Sequence, residues 1–99
     1  MSNQATAQHK APLFSMGQVV ATPAALERLT ELNTEASELL QRHLAGDWGD
    51  LHDDDCARND AAVHNGSRIF SSYDIEDDKF WVITEADRSV TTVLTPLDY

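Results

Sequence analysis

The chain has 99 residues, the usual length of one domain and enough to bury a modest hydrophobic core. It carries 17 acidic against 7 basic residues, for a formal net charge of −10. This balance argues against direct binding to nucleic acid or to an anionic membrane surface, since both depend on Lys and Arg. It suits a basic protein partner.

Cysteine content and hydropathy favour a reducing compartment and argue against a membrane segment. Cys56 is the single cysteine, so no internal disulfide can form and the chain fits a reducing environment. The carboxylates around Cys56 disfavour a reactive thiolate there. No apolar run approaches the roughly 20 residues of a membrane helix, and the polar N-terminus lacks the apolar core of a signal peptide. We therefore expect a cytoplasmic protein that does not contact a membrane.

The N-terminal part divides into a tail and the start of a domain. Residues 1–12 are small and polar and predict a disordered tail, and residues 13–99 predict a single domain. The stretch "LFSMGQVVAT" indicates a short strand or an extended arm. Thr22 can cap the first helix with Pro23 at its first position. The apolar residues of this helix are Leu26, Leu29 and Leu32.

Two more helices follow in the sequence pattern. Thr34 is the expected cap of the second helix, which Gly46 ends. Asp53 or Asp54 is the expected cap of a third helix that runs to about His64. The dipeptide Asn65-Gly66 provides the stop for this third helix.

The remaining sequence indicates three β-strands, at 67–75, 79–86 and 89–95. Glu76 to Asp78 form a polar turn between the first two strands. Because the connections are short, neighbouring strands should be antiparallel. The predicted fold class is α+β, with N-terminal helices packed on a three- to four-stranded antiparallel sheet.

The stretch "DWGDLHDDD" contains five aspartates within nine residues. Its register fails the EF-hand spacing, so a solvated loop with an acidic helix start is favoured over a metal site. We expect no metal and no cofactor. Trp48 either plugs the core or anchors a partner, and both interpretations stay open here. The candidate partner-binding residues are Asp47, Trp48, Asp50, Asp53, Asp54 and Asp55.

The histidines form a poor zinc set, because no cysteine pair accompanies them and their spacing is wrong. We expect His43, His52 and His64 to be exposed or half-buried helix residues. His43 and His64 fall in the final turns of predicted helices, where the helix dipole favours the protonated ring.

The charged stretch "TEADRS" allows two interpretations. As a hairpin connection, it uses Glu85 and Asp87 to cap turns and to hold Arg88. As a ribonuclease-like site, it combines Glu85 as general base with Arg88 and Arg68 as phosphate clamps on one sheet face. The catalytic residues under this second interpretation are Arg68, Glu85 and Arg88.

Four blocks resemble a family of small bacterial proteins carried on plasmids and integrative elements, the "plasmid-related" proteins. These blocks are "QVVATPAAL", "HLAGDWGDL", "GSRIFSSY" and "FWVITEADRSVTTVLTPLDY", and the resemblance extends over roughly residues 13–99. It implies a mobile-element context and no particular reaction. The order of helices and strands is also loosely similar to the barnase, EndoU and RelE nucleases.

Together these features predict a small acidic, non-enzymatic interaction protein of a mobile element. It would counter host defence, in the manner of an anti-restriction or anti-CRISPR protein, by binding a basic protein. A barnase- or RelE-like nuclease or toxin, or a degenerate relative, is the alternative. A third possibility is an orphan domain that forms a homodimer through an exposed sheet edge.

Overall fold

The computed structural model describes residues 11–99, so most of the predicted tail 1–12 lies outside the described residues. Three helices precede a three-stranded meander, and a short strand precedes the helices. The α+β prediction is therefore confirmed. In chain order the elements are β1 (Gln18–Ala21), α1 (Pro23–Glu31), α2 (Ala36–Leu44), α3 (Asp53–Asn65), β2 (Ile69–Ile75), β3 (Asp78–Thr84), β4 (Val90–Leu94) and a 3₁₀ turn (Pro96–Asp98).

The four strands form one sheet in the order β1-β4-β3-β2. β2, β3 and β4 are antiparallel neighbours, as the short connections predict. β1 pairs parallel with β4, with Gln18 opposite Val90 and Ala21 opposite Val93. The prediction of a wholly antiparallel sheet is therefore wrong for this strand. In sequence, all three helices lie between β1 and the meander. Parallel strands need a long connection, and this segment is long enough for the chain to return to the sheet in the same direction.

The sequence predicts two helix ends correctly. The Thr22 hydroxyl oxygen accepts a hydrogen bond from the backbone N–H of Ala25 at 3.1 Å, and Pro23 occupies the first position of α1. Gly66 ends α3 in the left-handed conformation, with φ of 78°. These positions depend on local chemistry alone, which is why the pattern reveals them.

Two other caps are shifted by one residue or more. The N-cap of α2 is Glu35, whose backbone N–H donates to the Glu38 carboxylate at 3.0 Å, and not Thr34. The hydroxyl of Thr34 instead donates to the carbonyl of Leu32. The N-cap of α3 is His52. Three aspartates therefore fill the first turn of α3, where the helix dipole favours negative charge.

The main core lies between one face of the sheet and the first two helices. Alternate strand residues point to this face, because successive side chains of a strand point to opposite sides. Its buried members are Ala25, Leu29, Leu39, Tyr73, Phe80, Val82 and Val93. A second cluster of Trp48, Ala62 and Ile69 fills the space between α3 and the sheet.

The outer edge of β2 is closed by hydrogen bonds from two segments. The N–H of Ser72 donates to the Trp48 carbonyl at 3.1 Å, and the N–H of Asp50 donates to the Ser72 carbonyl at 2.6 Å. The side-chain amide of Asn59 bonds to the backbone of Phe70. The strand at the opposite edge of the sheet is β1, where Val19 and Val20 are exposed.

Candidate functional site

Trp48, a predicted partner-binding residue, is buried, with 4% of its surface exposed. Its indole N–H donates to the carboxylate of Asp60 at 3.0 Å, and its ring packs edge-on against His43. A side chain buried this deeply cannot anchor a partner in this conformation. Of the two interpretations left open by the sequence, the core plug is the one that the geometry supports.

Three of the predicted partner-binding aspartates make contacts within the protein. The carboxylate of Asp47 pairs with Arg42 at 2.7 Å. Asp50 accepts a hydrogen bond from the N–H of Asp74 at 2.9 Å and so helps to close the edge of β2. Asp55 pairs with the guanidinium of Arg58 at 2.7 Å. Their charges are partly compensated, and their side chains stabilise local structure.

The side chains of Asp53 and Asp54, in contrast to those of these three aspartates, make no polar contact in the described structure. Both are exposed in the first turn of α3, and neither forms a hydrogen bond or an ion pair within residues 11–99. Of the predicted partner-binding residues, these two are thus the ones that remain exposed and unpaired in the described structure. Asp53 and Asp54 together are called the aspartate pair below. In the same part of the chain no group of three or more His, Cys, Asp or Glu residues is arranged to hold a metal ion.

The guanidinium of Arg88 is held by backbone carbonyls. It donates to the carbonyl of Ala62 near the end of α3 at 2.8 Å and to that of Ser67 at 2.7 Å. It also donates to the carbonyls of Glu85 and Ala86 in its own hairpin. These contacts join α3 to the β3–β4 connection, which makes Arg88 a structural residue rather than a phosphate clamp.

The three residues of the nuclease hypothesis do not converge. Arg68 is exposed, and its guanidinium contacts the hydroxyl of Tyr99 at 3.3 Å. Glu85 follows the end of β3, and no ion pair joins it to Arg68 or Arg88 in the described part of the chain. Of these three residues, Arg68 alone lines the cleft that is described below. The general base and the phosphate-binding arginines of the nuclease hypothesis are therefore not brought together.

Asp87 fixes the tight connection between β3 and β4. Its carboxylate accepts hydrogen bonds from the N–H of Ser89 at 3.0 Å and from the Ser89 hydroxyl at 2.6 Å. The hydroxyl bond and then the backbone bond lower the pKa of Asp87, because they favour its charged form. The hairpin interpretation of "TEADRS" is the one that these contacts support.

His43 lies at the centre of a buried polar chain that the sequence pattern does not reveal. It is fully buried, against the expectation of an exposed or half-buried ring. Its Nδ1 lies 2.6 Å from the hydroxyl of Ser71, and its Nε2 lies 2.9 Å from that of Thr84. The Thr84 hydroxyl contacts that of Thr91 at 2.7 Å, and Thr91 donates to the carbonyl of Met16 at 2.8 Å.

The Met16 carbonyl fixes the direction of the hydrogen bonds from Thr91 back to the Nε2 of His43. A carbonyl can only accept, so the single proton of Thr91 is used there, and Thr84 must donate to Thr91. Thr84 then accepts from the Nε2–H of His43, which fixes this nitrogen as a protonated one. Burial lowers the pKa of His43 to about 4, the reverse of the dipole effect expected from its helical position. The ring is therefore neutral at pH 7, and its Nδ1 accepts from the hydroxyl of Ser71.

A cleft of about 410 Å³ opens on the sheet face opposite the main core. Phe70 and Trp81 point to this face from β2 and β3, and their rings meet at 5.1 Å and 70°. Trp81 also meets the ring of Tyr99, at 5.7 Å and 76°. Six other residues line the cleft, namely Leu51, Asp55, Arg58, Asn59, Arg68 and Ile83. The alternation of β2 and β3 places these side chains on one face, but the sequence does not show that Tyr99 folds back over them.

Cys56 does not have the character of a nucleophile. Burial raises the pKa of its thiol, and Asp53 and Asp60 raise it further. A higher pKa lowers the fraction of reactive thiolate at neutral pH.

Comparisons of the chain with protein-family models, with curated proteins and with solved structures gave no match. None of the helices within residues 11–99 has the length and apolar content needed to span a membrane.

Proposed function

We propose that this chain is a non-enzymatic interaction protein that binds a basic protein through the aspartate pair of α3. The observation that carries the proposal is the exposure of Asp53 and Asp54 without any neutralising partner in the described structure. The helical backbone places these two adjacent charges together in the first turn of α3. Electrostatic attraction of this kind speeds association and selects partners of opposite charge.

The distribution of the basic residues supports the same proposal. Four cations are neutralised by carboxylates at 2.6–2.7 Å, namely Arg28, Arg42, Arg58 and Lys79. Arg88 is occupied by carbonyls. Most of the positive charge thus acts within the fold, and the excess of acidic residues is left to face solvent.

The cellular setting belongs to the same proposal. The resemblance to plasmid and integrative-element proteins suggests that the partner is a basic component of host defence, such as a restriction or CRISPR protein. The proposal places this interaction in the cytoplasm, where a chain with one unpaired cysteine is suited to the reducing conditions. The engagement of Arg88 with carbonyls argues against the nuclease alternative.

Capture experiments with matched variants test the proposal. The tagged chain is incubated with a bacterial lysate, and retained proteins are identified at increasing salt. The same is done with the double variant Asp53→Asn/Asp54→Asn. The control is Glu27→Gln/Asp77→Asn, which also removes two exposed charges that have no partner in the described region.

We expect a basic protein that the wild type and the control retain and that the aspartate-pair variant loses. Its yield should fall as salt rises, because exposed charges are screened. Equal retention by the aspartate-pair variant, or a yield that does not respond to salt, would contradict the proposal.

A further inference from the structure

We propose that the cleft between Phe70, Trp81 and Tyr99 is a binding site for a nucleoside monophosphate, a ligand with a planar ring and one anionic group. The inference does not rest on the proposed function, because it uses other residues and ligand chemistry of the opposite charge. It rests on the aromatic walls of the cleft and on the charge at its rim.

The walls of the cleft suit a flat ring. Phe70 and Tyr99 flank Trp81, and each meets its ring nearly edge-on. Trp81 is half-buried and Tyr99 is 71% exposed, so aromatic surface remains available to a ligand. Ile83, which is 4% exposed, provides an apolar floor. A volume of about 410 Å³ is within the usual range for small-molecule pockets.

Two of the three walls are held rigidly. Trp81 lies in β3, which is paired on both sides with β2 and β4. Phe70 lies in β2, and Asn59 bonds to both its N–H and its carbonyl. Such preorganisation reduces the entropy that a ligand must overcome on binding. Tyr99 follows the 3₁₀ turn, which makes it the wall that can adjust to the ligand.

Arg68 supplies the charge at the rim. Within residues 11–99 it is the one basic side chain that binds neither a carboxylate nor a carbonyl, and its contact is with the Tyr99 hydroxyl at 3.3 Å. Arg58 and Asp55 also line the cleft, but they pair with each other at 2.7 Å, so together they add no net charge to it. A guanidinium free to form two parallel hydrogen bonds is suited to a phosphate. A ring stacked on Trp81 would bring a phosphate attached to it within reach of Arg68.

The net charge limits the size of the ligand. One phosphate can be met by Arg68, but every further phosphate would face a protein of net charge −10. A nucleic-acid strand gains affinity from many cationic contacts, which this face does not provide in the described structure. We therefore assign the cleft to a free mononucleotide rather than to an oligonucleotide.

Titrations followed by NMR test the assignment on the full chain. Adenosine monophosphate, adenosine, inorganic phosphate and a short oligoadenylate are added in separate experiments. The two tryptophan indole N–H signals report on different places, since Trp48 is buried in the second core cluster and Trp81 lines the cleft. The variant is Arg68→Gln, and the matched control is Arg28→Gln on α1.

We expect adenosine monophosphate to shift the Trp81 indole signal and to leave that of Trp48 in place. Adenosine should bind at least about tenfold more weakly, since it lacks the charge-assisted bond to Arg68. Arg68→Gln should remove this preference, and Arg28→Gln should keep it. The assignment is overturned if the Trp81 signal does not respond at millimolar nucleotide, if Arg68→Gln retains the preference, or if the oligonucleotide binds more tightly.

Discussion

The side-chain amide of Asn59 makes two hydrogen bonds to the backbone of Phe70. Its Nδ2 donates to the Phe70 carbonyl at 2.7 Å, and its Oδ1 accepts from the Phe70 N–H at 3.1 Å. Asn59 is 5% exposed, so both bonds are shielded from water. One helix side chain thereby closes part of a sheet edge and fixes an aromatic wall of the cleft.

Replacing Asn59 tests this edge closure. Asn59→Ala leaves two buried backbone groups without partners, and we expect a loss of about 2 kcal/mol in the free energy of unfolding. Asn59→Asp can still accept from the N–H of Phe70 but cannot donate to its carbonyl, so we expect it to be destabilised as well. Urea unfolding measures both variants. Wild-type stability of either variant would show that the two bonds contribute little.

Arg88 and Arg68 should differ sharply in their contribution to stability. Arg88→Ala removes donors from the carbonyls of Ala62 and Ser67, and we expect a loss of about 2 to 3 kcal/mol. Arg68→Ala removes an exposed side chain with a single long contact, and its effect should stay within about 0.5 kcal/mol. Thermal unfolding of the two variants side by side provides the comparison, and equal losses would contradict the scaffold role of Arg88.

Gly49 and Gly66 form a matched pair for backbone crowding. Both have positive φ, of 81° and 78°. A Cβ at Gly49 would overlap the carbonyl oxygen of Ser72, whereas a Cβ at Gly66 meets nothing within 4 Å. Gly66→Ala should therefore cost only the left-handed strain of roughly 1 to 2 kcal/mol. Gly49→Ala should cost clearly more, since it also disrupts the bridge to β2. Chemical denaturation measures the free energy of unfolding of both variants. Similar losses of stability in the two variants would count against close packing at Gly49.

The parts of the fold that depend on local patterns could be predicted from the sequence. The cap at Thr22 and the stop at Gly66 are local features, and the structure confirms them. The parallel pairing of β1 could not be predicted, because it depends on where a long crossover returns.

The surroundings of the candidate site residues depend on contacts between distant parts of the sequence. The pattern gives the acidic stretch, but the structure is needed to separate Asp53 and Asp54 from aspartates that are already paired. His43 was placed wrongly, because its partners Ser71 and Thr84 are distant in sequence and meet it only in the folded core. The cleft was missed for the same reason, since Tyr99 reaches Trp81 only through the final turn.

The neutral ring of His43 predicts a pH dependence of stability. Its pKa is about 4 in the folded state and about 6.5 in the unfolded chain. Below pH 6.5 the unfolded state therefore binds a proton that the folded state does not. The stabilisation is fully present above pH 6.5 and is lost as the pH falls towards 4, by roughly 3 kcal/mol in total. Urea denaturation between pH 7 and 4.5 measures this loss.

A control variant isolates the buried histidine. His64 is exposed on α3 and lies outside the buried polar chain, so His64→Gln should retain the loss of stability that is assigned to His43. NMR signals of the His43 ring should remain those of the Nε2–H tautomer down to about pH 4.5. A ring that titrates near pH 6.5, or a stability that stays flat over this range, would contradict the proposed proton arrangement.

The most direct measurement of the central claim is the affinity of the purified chain for the basic protein that it captures, compared across matched charge variants. Asp53→Asn/Asp54→Asn should weaken binding at least about tenfold, which is about 1.4 kcal/mol. Its folding should be affected by less than about 2 kcal/mol, the most that two helix-dipole contacts provide. Glu27→Gln/Asp77→Asn should bind nearly as the wild type does. Equal weakening by both variants would show that net charge alone acts, and an unchanged affinity of the first variant would show that the aspartate pair is not the binding surface.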